Sequence, residues 1–162
     1  MTTPVPDVVL TVGNAMMGDD GAGPLLAEMM TATPVAGWIA IDGGAMPENV
    51  AHQVSAHQPR RVLIVDAADM GLDPGEIRLI DPRDIADMFI MSTHNMPLNF
   101  LIERLSEEID EVLFLGIQPD IVGFCYPMTD KVKHAVECVY QRLDGWRGDG
   151  GFALLGAAEE AE

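Results

Sequence analysis

An apolar run that stops abruptly in an acidic, glycine-rich loop constrains this chain more than any other stretch. In DVVLTVGNAMMGDDGAGP, residues 7–24, Val8, Val9, Leu10 and Val12 read as a strand buried on both faces. The glycines that follow, Gly13 and Gly18 first, allow backbone conformations that a Cβ disfavours, so the loop can hold a charged side chain, Asp19 or Asp20, at a fixed place. Pro24 suits the first turn of a helix, and Leu25, Leu26, Met29 and Met30 give that helix an apolar stripe. The unit is strand, acidic loop, helix.

The pattern continues along the chain. Residues 38–41 form a short apolar strand ending at Asp42, and residues 48–58 can form a helix with Val50, Val54 and His57 on one side, ended by Pro59. In RVLIVDA, residues 62–65 are continuously apolar, as expected of a central parallel strand, and Asp66 stands at its carboxyl end. Turn residues Gly71, Pro74 and Gly75 precede EIRLI, residues 76–80, whose mixed polarity predicts an exposed antiparallel edge strand. Asp81, Pro82 and Asp84 begin a short helical turn. Leu98, Leu101, Ile102, Leu105 and Ile109 recur on one face of a helix that Asn95 caps and Pro97 enters, which pins His94 just before its N-terminus. Residues 112–117 form the last buried strand. Thr129 caps a final helix with Val132, Ala135, Val136, Val139, Tyr140 and Leu143 inward and His134 off that stripe.

Strands and helices alternate without a linker or repeat, which predicts an α/β fold: a three-layer α/β/α sandwich with a mainly parallel, twisted sheet of about five strands. Residues 1–145 read as a single domain. Residues 146–162 read as a glycine-rich, acidic, loosely packed tail, from which Trp146, Phe152 and Leu155 could dock. A length of 162 residues with 48% hydrophobic content supports one compact core. Nine basic against 26 acidic residues give a net charge of −17, which opposes nucleic acid and anionic membrane surfaces and favours cationic partners, metals or basic segments. No apolar stretch reaches the roughly 20 residues of a membrane span, and MTTPVPDVV lacks the pattern of a signal peptide, so a cytoplasmic location is expected. Cys125 and Cys138 are expected to be reduced, mostly buried thiols.

Ligands of open α/β sheets bind beyond the carboxyl ends of the strands. Sequence order places Asp20, Asp66 and His94 there, from three separate elements. Two carboxylates and an imidazole form an oxygen and nitrogen set suited to divalent nickel, zinc or manganese, and three ligands leave coordination positions open for chemistry or for a metal already held by another molecule. Each residue also has an ordinary structural role: Asp66 as a turn cap, Asp20 as a helix-start residue, His94 as a hydrogen-bonder. Asp19 reads as a helix-start or loop-bonding residue rather than a ligand, and Asp42 either supports the ligand set or caps its own turn. Met16, Met17, Met70, Met91 and Met96 surround the crevice, where flexible core filling is favoured over an adaptable groove. Several motifs are missing: G-x-G-x-x-G, GK[ST], H-E-x-x-H and G-x-S-x-G do not occur in the appropriate context, and Ser92 beside His94 does not make a triad.

The segments VGNAMMGDDGAGP, IDGGAMPEN, IVDAADMG, STHNMPLNFLI, LGIQPDIVGFCYPMT and VYQRLDGWRGDGGFA resemble the nickel-iron hydrogenase maturation endopeptidases over nearly the whole chain. The resemblance implies an endopeptidase that removes a short C-terminal extension from the hydrogenase large-subunit precursor after nickel insertion, cutting behind a basic residue. It maps the family's metal-contacting residues onto Asp20, Asp66 and His94. Many relatives carry Glu where this chain has Asp20, one methylene shorter. Nickel is then carried by the precursor, and the free protein need not hold a metal. Two other readings use the same crevice: a nickel-binding accessory protein that docks on the precursor without cutting it, and a small-molecule hydrolase or nucleotide-binding domain.

Overall fold

The computed structural model describes residues 5–81 and 98–155. In chain order the elements are β1 (Asp7–Thr11), a 3-10 turn (Gly18–Gly21), α1 (Ala22–Ala32), β2 (Trp38–Asp42), a second 3-10 turn (Pro47–Val50), α2 (Ala51–Ala56), β3 (Arg61–Ala67), β4 (Ile77–Ile80), α3 (Leu98–Ser106), β5 (Glu111–Ile117) and α4 (Asp130–Leu143). The strands form one five-stranded sheet in the order β2-β1-β3-β5-β4. All neighbours pair in parallel except β4, which runs antiparallel to β5 at the edge.

Alternation along the strands sorts the core into two layers. Val9, Leu63, Val65 and Leu115 face α1 and α4 through Leu26, Met30, Val132, Val136 and Val139. Val8, Leu10, Val62 and Ile64 face α2 and α3 through Val54, Leu98, Leu101, Ile102 and Leu105. The continuously apolar runs of β1 and β3 follow from this, because a parallel strand between two helical layers has no wet face. The α3 stripe is buried as its spacing predicts, and His134 of α4 is exposed.

Two local expectations differ. Instead of one helix over 48–58, the chain makes a 3-10 turn and the short α2, and His57 is exposed. Gln58, the residue before Pro59, adopts φ 49°; a following proline crowds the helical region, so the helix ends earlier. The edge strand β4 is also covered: the Leu79 N–H donates to the Ala153 carbonyl at 2.9 Å and Leu155 N–H to the Leu79 carbonyl at 2.7 Å. That contact protects an otherwise open row of backbone groups. Phe152 is buried, and Trp146 packs edge-on against Trp38 with ring centroids 5.9 Å apart.

The chain leaves β1 toward β2 on one side, while β3 leads to the strands on the other. The carboxyl ends of β1 and β3 therefore flank a topological switch point, where an open α/β sheet leaves a crevice.

Candidate active site

Asp20 and Asp66 flank that switch point from different elements. The Val12 N–H donates to the Val65 carbonyl at 2.9 Å, joining the two strand ends. Asp66 is the penultimate residue of β3 and is fully buried. By strand alternation it shares the face of Val62 and Ile64, the face covered by α3. On the other side, Gly13 continues β1, and the Asp20 backbone is stacked so closely on it that a Cβ at Gly13 would collide with the Asp20 carbonyl oxygen. Asp20 is itself 1% exposed, and its Oδ2 accepts a hydrogen bond from the Asn14 N–H at 2.9 Å. Asp20 is thus fixed beside the end of β1, and Asp66 is placed near the carboxyl end of β3 by the strand itself. His94 lies outside the described residues. Among the described residues, no three His, Cys, Asp or Glu side chains converge to hold a metal ion.

The neighbouring Asp19 has a different task. Its Oδ2 accepts from the Asp120 N–H at 2.9 Å and the Ile121 N–H at 3.0 Å, and its Oδ1 accepts from the Thr129 N–H at 2.7 Å. The Thr129 hydroxyl donates to the same carboxylate, 2.8 Å from Oδ2. Asp19 N–H in turn donates to the Ile121 carbonyl at 2.8 Å. Of its two expected roles, Asp19 therefore takes that of a loop-bonding residue, and it clamps the loop after β1 to the loop after β5. Thr129 occupies the N-cap position of α4 without a side-chain cap bond, since its hydroxyl is turned to Asp19. This corrects its reading as a capping side chain.

Asp42 closes its own turn. Its Oδ1 accepts from the Gly44 N–H at 2.9 Å and lies 3.3 Å from the Thr11 hydroxyl. A residue absent from the sequence-derived set is Gln118, buried just past β5. Its Oε1 accepts from the N–H groups of Met70 at 2.6 Å and Leu72 at 3.3 Å, and its Nε2 donates to Asp69 Oδ1 at 3.2 Å. Gln118 thereby fixes the loop that follows Asp66. The signal was its place: a polar residue at the carboxyl end of a buried strand, level with the crevice. Two sulfur residues also differ from expectation. Met16 is exposed rather than core filling, and Cys125 is exposed with φ 65°, while Cys138 is half-buried.

Fold and site together define an α/β domain with two buried carboxylates flanking its switch point and without the glycine pattern of a phosphate cradle. The profile of the HycI family, hydrogenase maturation protease, matches residues 25–146. The Hydrogenase 3 maturation protease of Escherichia coli strain K12 is 66% identical over 154 residues, covering 95% of this chain and 99% of that one. The crystal structure of the Hydrogenase 3 Maturation protease superposes with a TM-score of 0.89 at 66% identity, covering 94% of this chain and 98% of that chain. The solution structure of the endopeptidase HycI from Escherichia coli gives 0.88 at 66% identity, covering 93% and 97%. The chain belongs to the hydrogenase maturation protease family and is an endopeptidase. Membership sets aside both the non-cleaving accessory protein and the small-molecule hydrolase.

Proposed function

We propose that this endopeptidase removes the C-terminal extension of the [NiFe] hydrogenase large-subunit precursor, of the hydrogenase 3 type, and that it recognises the precursor by the nickel already bound there. The observation that carries the reading is the pair of buried carboxylates, Asp20 and Asp66, presented by separate elements at one end of the sheet. Carboxylate oxygens suit a borderline divalent ion, and a site with few ligands leaves the remaining positions to the precursor's own donors. His94 is the third proposed ligand. From His94 to Leu98, the first residue of α3, the chain spans at most about 14 Å, and α3 covers the face that Asp66 shares.

In this reading Asp20, Asp66 and His94 both contact the precursor's nickel and act in catalysis. They fix the scissile peptide in register, which converts recognition into orientation. Hydrolysis adds water to the peptide carbonyl and breaks the C–N bond; the water's proton passes through a base to the leaving amine, a role within the range of a crevice carboxylate. The free enzyme requires no resident metal. A net charge of −17 suits a basic residue before the cut and opposes nucleic acid or anionic lipid as partners. No described helix is long and apolar enough to cross a membrane, and the proposed location is the cytoplasm.

The test incubates the protein with nickel-loaded and nickel-free precursor and follows the precursor's mass. Loss of the extension from the loaded form alone is expected. Loss from both forms would refute nickel recognition, and loss from neither would refute the precursor as substrate.

A further inference from the structure

The segment joining β5 to α4 presents an apolar surface beside the crevice. Residues 121–128, IVGFCYPM, carry no charged side chain in a chain of net charge −17. Phe124 is 66% exposed and Tyr126 59%, and Ile121 and Val122 are exposed as well. Met16, 58% exposed, belongs to the loop that holds Asp20. Solvent does not select such a surface in one place, and patches of this kind on a globular domain mark contact sites.

This segment is tied to the loop that carries Asp20. The Asp19 carboxylate holds its start through Asp120 and Ile121 and its end through Thr129. Between them the Cys125 N–H donates to the Met16 carbonyl at 2.8 Å. Gly18, with φ +63°, lies so close that an added Cβ would be 2.6 Å from the Ile121 carbonyl oxygen. Within the loop, Tyr126 N–H donates to the Gly123 carbonyl at 3.2 Å, and the Tyr126 ring covers Gly123. Cys125 takes the left-handed conformation, rare without glycine, between the two exposed aromatic residues. The apolar side chains are therefore displayed from a backbone fixed in advance, which lowers the entropy lost on binding. Aromatic side chains presented in this way are typical anchors of protein interfaces.

We infer that this rim, Met16 with Ile121, Val122, Phe124 and Tyr126, docks a neutral, apolar segment of the hydrogenase large-subunit precursor and sets that polypeptide over the crevice. The inference rests on the proposed substrate. Continuity selects the occupant: the loop of Met16 also carries Asp20, and the rim is hydrogen-bonded to that loop at both ends. The rim and the Asp20 loop thus form one bonded unit. The lack of charge selects the chemistry, since a basic segment would find no counter-charge between residues 121 and 128. Basic recognition belongs elsewhere on the acidic surface.

The test uses the full-length protein and nickel-loaded precursor, with Phe124→Ser and Tyr126→Ser combined, and measures precursor binding directly beside KM and kcat for cleavage. At least a tenfold loss of binding and an equal rise in KM are expected, with kcat retained at saturating precursor and the loss undiminished in high salt. Phe124→Leu with native Tyr126 should bind nearly as wild type does. Unchanged binding by the double variant would overturn the inference, as would a fall in kcat at constant KM. If the wild type bound the precursor through this rim without cleaving it, the docking inference would stand and the proposed reaction would fall. If the wild type did not bind it at all, both would fall.

Discussion

Replacing Asp19 by Asn preserves the shape of the side chain while removing its charge and one acceptor oxygen. In the native protein the two carboxylate oxygens satisfy three backbone N–H groups and the Thr129 hydroxyl, and Asp19 is fully buried. An amide that turns its nitrogen toward Thr129 leaves that backbone N–H without its acceptor, at about 1–3 kcal/mol. The bonds kept by the other oxygen lose their charge assistance, at roughly 1 kcal/mol each. Cheaper burial of a neutral group offsets part of this, so the Asp19→Asn variant is expected to lose about 2–4 kcal/mol. With a urea dependence of about 2 kcal/mol per molar, the midpoint of unfolding falls by about 1–2 M. Urea titration followed by far-UV circular dichroism gives the value. A midpoint within experimental error of wild type would refute the clamp, because no rearrangement of an amide can satisfy all of these donors.

Gly18→Ala places a Cβ against the Ile121 carbonyl at φ +63°, which should cost about 1–3 kcal/mol and lower Tm by about 3–8 °C; an unchanged Tm in calorimetry would contradict the close approach of the two loops. Trp146→Ala removes the edge-on contact with Trp38 and the packing on Phe152, and should lower stability by about 2 kcal/mol; chemical denaturation checks whether the glycine-rich tail contributes to the core. Burial raises the Asp7 carboxyl above its ordinary value of 3.8, against the lowering effects of Arg61 and Arg60. The folded protein therefore holds this proton more tightly than the unfolded chain, so ionisation of Asp7 lowers stability as pH rises through the window above 3.8. Asp7→Asn should accordingly gain up to about 1 kcal/mol at neutral pH, a gain that shrinks as pH falls through the carboxylate range; destabilisation at neutral pH would show that the 3.8 Å pairing with Arg61 dominates.

What could be read from the sequence was what local periodicity encodes. Residues 62–65 are apolar without a break because β3 is sandwiched between helices, and the α3 stripe repeats because one face meets the sheet. The place of Asp66 follows from the end of that run, and the place of Asp20 from the glycine loop. Partnerships distant in sequence were not legible. That Asp19 bonds within a loop could be argued from DDG, but its partners lie at Asp120, Ile121 and Thr129, and only the β1-β3-β5 order brings them together. Thr129 looked like a cap for the same reason: local sequence does not show a carboxylate arriving from the other end of the chain. Cys125 and Met16 were assigned to the interior by residue type, whereas the loop geometry turns them outward. His57 was placed inward by helical spacing that Gln58 and Pro59 terminate.

The joint action of Asp20 and Asp66 on the precursor underlies the proposed function. Its most direct measurement is the single-turnover rate of tail removal from nickel-loaded precursor by Asp20→Asn and Asp66→Asn variants whose native fold is verified by their unfolding midpoints. Each variant is expected to lose at least about a hundredfold in rate. A wild-type rate in either folded variant would contradict that joint action.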